Sequence, residues 1–146
     1  MKPNIMFVDD SISVLESLKW IFMDELYHIL LFDNPLKALK AIDFKEFSVV
    51  VADQSMPEMA GIEFLKKVKQ RSPDTVGMIM SGFVEPEIAS NVMNRGVVNR
   101  FIQKPLDINE IKQAVAIALA RYKINVESIG ESMSIFQPRT VFPLQQ

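Results

Sequence analysis

Five side chains spread along the chain could do chemistry together: Asp9, Asp10, Asp53, Ser81 and Lys104. Each stands at or just past the end of a short apolar run. Ile5-Met6-Phe7-Val8 leads into Asp9-Asp10, Val49-Val50-Val51-Ala52 into Asp53, residues 76–80 into Ser81, and residues 100–103 into Lys104-Pro105. Three carboxylates gathered in one crevice cannot all stay ionised without compensation, because like charges push at least one pKa upward. A hard divalent cation resolves the conflict. Magnesium takes oxygen ligands, keeps several waters, and is held by one or two carboxylates together with a phosphate. The Lys104 ammonium adds a second positive charge. Such a site is prepared for a phosphoryl group, whose transfer needs mainly positioning and charge neutralisation. Asp53 can then act as nucleophile, since a carboxylate can form an aspartyl phosphate. The plain alternative for Asp9-Asp10 is a helix N-cap region, where aspartate is favoured; one cap would suffice there.

These residues meet only if the chain brings strand ends together. Short apolar runs alternate with segments of helical period. The first run, 5–8, precedes a helix over about 13–24, with Val14, Leu15, Leu18, Ile21 and Phe22 on one stripe and Trp20 read as helix packing. A strand over 27–32 follows. Asn34-Pro35 reads as an N-cap with first-turn proline, opening a helix through Leu36, Leu39 and Ala41. After a third strand at 49–52, Ile62, Leu65 and Val68 are in phase over 61–70, and Ser72-Pro73-Asp74 stops that helix. A fourth strand over 76–80 precedes a helix over 86–95, closed by Gly96 as a left-handed cap. A fifth strand at 100–103 leads to the capping-box stretch Asp107-Ile108-Asn109-Glu110, which starts a last helix to about 122.

Five β-then-α units imply a parallel sheet covered by helices on both faces. The continuous apolar strands agree, since strands buried on both sides need no alternation. The expected fold is α/β: a doubly wound, five-stranded, flavodoxin-like (βα)5 three-layer sandwich with right-handed crossovers and strand order 2-1-3-4-5. In an open parallel sheet ligands bind outside the carboxyl ends of the strands, which is where the five polar residues fall. Residues 125–146, with two prolines and no sustained period, read as a tail or a linker to an output domain, leaving 1–124 as the domain proper.

Composition narrows the classes further. The 146 residues suit one domain, and a formal net charge of −2 offers no basic footprint for nucleic acid or for a membrane surface. There is no cysteine, so disulfides, zinc–thiolate sites and cysteine catalysis are excluded. The apolar run near the N-terminus is too short for a signal peptide or a membrane span, and a cytoplasmic protein is expected. His28, the single histidine, has no metal-ligand partners in the sequence and reads as structural or surface. Met56 and Met59 read as packing.

The stretches FVDD, VADQSMPEMAGIEFL, MIMSGF and RFIQKPLD, in this order over about residues 3–122, resemble the receiver domain of two-component response regulators. The resemblance implies that Asp53 is the phosphoacceptor. Asp10, Asp53 and the backbone carbonyl of Ser55 would bind Mg2+ directly, with Asp9 acting mostly through water. Lys104 would pair with the phosphoryl group, and the bond before Pro105 would be cis. Ser81 would be the switch hydroxyl and Phe101 the switch aromatic, together reshaping the face made by helix four, strand five and helix five. A sensor histidine kinase or histidine phosphotransfer protein is the implied donor. A partner or output domain is the implied target, and a homodimer on phosphorylation is common in relatives. On this reading the domain catalyses only its own phosphorylation and dephosphorylation. It turns over no external substrate and makes no direct contact with nucleic acid or membrane.

Several positions depart from the family pattern or vary within it. Ser55 and Phe83 lie two residues after Asp53 and Ser81, where family side chains flank the phosphoryl group and influence water attack. Phe83 cannot orient a water, so slow self-dephosphorylation is expected. Gly82 leaves the approach to Asp53 open. Ala60 stands where an aspartate often precedes the glycine, and Phe101 replaces a frequent tyrosine. The wording VNRFIQKP is similar to receivers attached to a phosphodiesterase or other enzymatic module rather than to a DNA-binding one. Two other classes remain as alternatives. One is a haloacid-dehalogenase-type hydrolase, which wants its second aspartate two residues after the nucleophile rather than adjacent. The other is a phosphate-independent receiver, a class that usually lacks an acidic residue or the lysine.

Overall fold

The computed structural model describes residues 2–136, and side-chain surroundings for 2–128. The elements run β1 (Asn4–Val8), α1 (Ile12–Ile21), β2 (His28–Phe32), α2 (Pro35–Phe44), β3 (Val49–Asp53), α3 (Gly61–Arg71), β4 (Val76–Ser81), α4 (Pro86–Asn94), β5 (Arg100–Gln103) and α5 (Ile108–Phe136). All pairings are parallel, in the order β2-β1-β3-β4-β5. The flavodoxin-like sandwich expected from the alternation of elements is the fold observed.

The central strands are apolar on both faces because both faces are covered. Ile5 and Phe7 of β1, Val49 and Val51 of β3, and Met78 and Met80 of β4 pack with Leu15, Leu18 and Phe22 of α1 and with Ile111, Ala114, Val115 and Ala118 of α5. Met6, Val8, Val50, Ala52 and Ile79 point the other way, toward α2, α3 and α4. This period-2 alternation is ordinary strand geometry, and it decides which strand-end residues share a side.

Local signals set most helix ends. Ser11 caps α1, its Oγ accepting from Val14 N at 3.3 Å. The cap is therefore neither Asp9 nor Asp10, and α1 starts earlier and ends earlier than its periodicity suggested. Asn34 Oδ1 accepts from Leu36 N at 2.7 Å with Pro35 in the first turn, and Gly96 has φ +74° after α4. Asp107 Oδ2 accepts from Glu110 N at 2.8 Å at the start of α5.

Two expectations need correction, the packing of Trp20 and the end of α5. Trp20 is 71% exposed and not part of the helix packing; two residues past Leu18, it lies some 200° round α1 from the buried stripe. The helix expected through Leu36, Leu39 and Ala41 forms as α2, burying Pro35, Ala38, Leu39 and Ile42, with Leu36 exposed and Ala41 half-buried. Finally, α5 continues past residue 122 to Phe136. No proline interrupts it before Pro138, and Gly130 alone weakens a helix by only about 1 kcal/mol. The expected division at residue 124 thus falls inside a helix, and residues 137–146 of the expected tail lie outside the described residues. Among the described residues no helix is long and apolar enough to cross a membrane.

Candidate functional site

Strand register brings the polar residues to one edge. Val8 is level with Ala52, Asp53 with Met80, and Ser81 with Gln103. Asp9 and Asp53 therefore stand side by side at the carboxyl ends of the neighbouring strands β1 and β3, and Lys104 reaches them from beyond the end of β5, across β4. All three also have the parity of Phe7, Val51 and Ile102, which places them on the α1/α5 side of the sheet. Ser81 and Phe101 have the opposite parity and belong to the α2–α4 side.

Lys104 bridges the two buried acids. Its Nζ donates to Asp9 Oδ2 at 2.8 Å and lies 3.1 Å from Asp53 Oδ1. Asp9 is wholly buried, and its other oxygen accepts from Ser11 N at 2.9 Å. Asp10 is exposed, yet a carboxylate oxygen from each of Asp9, Asp10 and Asp53 falls within 4.8 Å of the others. Burial pushes the Asp53 carboxyl above the usual carboxylate range and the charge of Asp9 adds to this. The Lys104 hydrogen bond and charge, and the Ser55 backbone N–H, pull against the rise without cancelling it. For Lys104 burial alone would lower the pKa, but the hydrogen bonds and charges of Asp9 and Asp53 together outweigh it and raise it. The ammonium is therefore fixed in its charged form.

Ser55 is exposed, with its backbone N–H on the Asp53 carboxylate. Around the edge of the cluster, Ser81 is not drawn toward the acids. Its hydroxyl donates to Phe83 O at 2.9 Å and accepts from Phe83 N at 3.2 Å, closing a small turn of its own. Phe83 itself is 77% exposed. A Cβ on Gly82 would meet nothing within 4 Å, so that side of the loop is open. Ser81, Phe83, Ala89 and the half-buried Phe101 line a cavity of about 280 Å³ between this loop, α4 and β5. The Lys104–Pro105 peptide is cis, and Lys104 N donates to Ser81 O at 2.9 Å. His28 is exposed at the start of β2, on the far edge of the sheet, and Met56 and Met59 pack on the core.

Two residues of the site escaped sequence reasoning in part. Gly61 stands in the sequence only as part of the stretch VADQSMPEMAGIEFL; an added Cβ would sit 2.4 Å from Asp53 O and 2.9 Å from Ile79 Cδ1, so the first turn of α3 leans directly on the Asp53 backbone. Nothing in the sequence singles out Gln54. Its side chain accepts from Ile62 N at 2.9 Å, a long-range cap that no residue type or spacing announces.

Known proteins of one family resemble this chain in sequence and fold. The model of the response regulator receiver domain matches residues 5–116. The chain is 31% identical over 145 residues to the transcriptional regulatory protein FixJ of Bradyrhizobium diazoefficiens, covering 94% of this chain and 70% of FixJ. It is 29% identical over 128 residues to the hydrogenase transcriptional regulatory protein HoxA of the same organism, covering 88% of this chain but only 26% of HoxA. Among solved structures, adenylate cyclase from Rhodopirellula baltica superposes with a TM-score of 0.83 at 30% identity, over 92% of this chain and 98% of that one. The beryllofluoride-activated NtrC4 receiver domain dimer gives 0.76 at 28% identity, over 82% and 98%. Relatives thus include both transcriptional regulators and a protein named as a cyclase. With a receiver model matched across its sheet and an acid–lysine cluster at the carboxyl edge, this chain belongs to the response regulator receiver domain family of two-component signalling.

Proposed function

We propose that the protein is a phosphorylation-dependent receiver with Asp53 as its phosphoacceptor and a sensor histidine kinase or histidine phosphotransfer protein as donor. The observation that carries this reading is the Lys104 ammonium held between Asp9 and Asp53, with Asp10 beside them. A carboxylate oxygen of Asp53 forms a bond to phosphorus while the P–N bond of the donor phosphohistidine breaks. The electron pair returns to the imidazole, which takes up a proton. Lys104 is placed to follow the negative charge onto the phosphoryl oxygens.

The donor set fits Mg2+. It is all oxygen, and three carboxylates against one ammonium leave an excess of negative charge that a divalent cation would offset. Asp10, Asp53 and the Ser55 carbonyl would hold the ion, with Asp9 acting through water. When bound, the ion supplies charge neutralisation for the phosphoryl oxygens.

Switching follows from groups already poised at the site. To reach a phosphoryl oxygen the Ser81 hydroxyl must leave Phe83, which moves the loop after β4. The cavity behind that loop offers Phe101 room to turn inward, altering the α4–β5–α5 face and with it a partner, an output domain or a homodimer contact. We read residues 1–124 as the receiver and 125–146 as a tail or a linker to an output domain. We read the location as cytoplasmic, with no external substrate turned over.

The test is a small-molecule phosphodonor with Mg2+. One acid-labile phosphate per chain, labile in alkali as well because it is an acyl phosphate, is expected, absent from Asp53→Asn and absent after chelation. Equal labelling of Asp53→Asn overturns the assignment, and multiple turnover of an unrelated phosphoester would favour a hydrolase.

A further inference from the structure

The loop between Asp53 and α3 is held by a residue with no assigned role. At the start of α3 the N-cap position is Ala60, whose backbone has the extended geometry of a cap (φ −65°, ψ 150°) but which offers no side-chain acceptor. Two N–H groups of the first turn nevertheless find partners, both on Gln54. Gly61 N donates to Gln54 O at 3.0 Å, and Ile62 N donates to Gln54 Oε1 at 2.9 Å. The N–H of Gln54 in turn donates to Met80 O at 3.0 Å, one residue before Ser81. Gln54 thus ties the end of β4 to the first turn of α3 across the back of the site.

Residues that depend on this tie flank it directly. Asp53 precedes Gln54, and its carbonyl is packed so closely against Gly61 that a methyl group there would lie 2.4 Å away. Ser55 follows Gln54, with its N–H on the Asp53 carboxylate. A shift of the α3 N-terminus would be transmitted to both.

We propose that Gln54 is a positioning residue, its side chain replacing the missing Ala60 cap so that the Asp53–Ser55 backbone is fixed against the first turn of α3. The consequence for Mg2+ and phosphate rests on the reading of Asp53 and Ser55 as acceptor and ligand; the consequence for the backbone does not.

The experiment compares the wild type with Gln54→Met, Ala60→Asn and the double variant. Asparagine is a good, uncharged N-cap and adds nothing to the acidic cluster. Amide hydrogen exchange at Ile62 and the amide resonance of Ser55 are followed without metal, and MgCl2 is then titrated calorimetrically. Gln54→Met should speed exchange at Ile62 about fivefold, as loss of one capping bond does, and shift the Ser55 amide. The Mg2+ dissociation constant should rise about tenfold, as for lost support behind a metal ligand. Ala60→Asn alone should change little, and in the double variant it should restore all three readouts. An unchanged Ile62 amide, a faster Ile62 amide with an unmoved Ser55 amide, or failure of Ala60→Asn to rescue would each overturn the proposal. Gln54→Asn, too short to reach Ile62, serves should Gln54→Met fail to fold. If the wild type takes up neither Mg2+ nor phosphate, the functional reading falls, while the Ile62 and Ser55 amides still decide the role of Gln54.

Discussion

Replacing Lys104 by methionine isolates the electrostatics of the site. The ammonium lies 2.8 Å from Asp9 and 3.1 Å from Asp53, while Asp9 is wholly buried and Asp53 nearly so. Methionine keeps most of the packing and leaves two neighbouring carboxylates without their cation. Removing one partner of a buried pair costs about 3–5 kcal/mol; with Lys104 partly open to water, the lower end, about 3 kcal/mol, is expected at pH 7. For a domain of this size that lowers Tm by roughly 10 °C. The pH dependence carries the sharper signature. Burial already raises the Asp53 pKa, and the variant removes Lys104, the main group that opposes the rise. A carboxyl whose folded pKa exceeds its unfolded value disfavours the folded state above the folded pKa and loses that penalty as pH falls toward the unfolded value. The gap between Lys104→Met and wild type should therefore be widest near neutrality and close progressively toward pH 4. Mg2+ should narrow it at pH 7 by restoring positive charge. Urea titrations at a series of pH values measure all of this. A gap under 1 kcal/mol at pH 7, or one that stays constant down to pH 4, would refute the account of the cluster.

Other outcomes follow from single contacts. Gly61→Ala should destabilise the domain by about 2 kcal/mol through overpacking against Asp53 O, seen as a lower urea midpoint, and should slow phosphorylation. Phe83→Ala should lose phosphate from Asp53 faster than wild type, followed by decay of label; equal rates would remove Phe83 from the control of water. Tyr122 OH lies 2.8 Å from Glu46 Oε2, and burial first, with that hydrogen bond and charge, pushes its pKa up to about 12. Because a raised pKa contributes stability below the unfolded value near 10 that is lost as pH climbs through the folded one, wild type should weaken between about pH 10 and 12. Partial exposure discounts the effect to about 1 kcal/mol. Tyr122→Phe should lack this alkaline step in unfolding curves.

Much of the fold was legible because central parallel strands must be apolar throughout, as Val49-Val50-Val51-Ala52 is, and because Asn34-Pro35, Gly96 and Asp107 have strong positional chemistry. The acid–lysine cluster was legible for the same reason: polar residues directly after such runs can only lie at the carboxyl edge. Other features depend on information that is not local. Trp20 and Leu36 are apolar yet exposed, since residue type alone does not say which side of a helix meets the sheet. The α5 extension lacks an apolar period, and its limit depends on the absence of a breaker rather than on the presence of a signal. Gln54 looks like any polar loop residue until Ile62, eight positions on, is seen to need an acceptor. Sequence alone suggests what the Ser81 hydroxyl could reach, whereas in this structure the hydroxyl is occupied by the peptide of Phe83.

Lys104 touches the site twice. Its ammonium joins the first and third strands while its own amide joins the fourth. A change of charge at Asp53 is therefore felt through one residue by main chain and side chain together. The loop carrying Ser81 is mechanically connected to the anion before its hydroxyl has made any new bond.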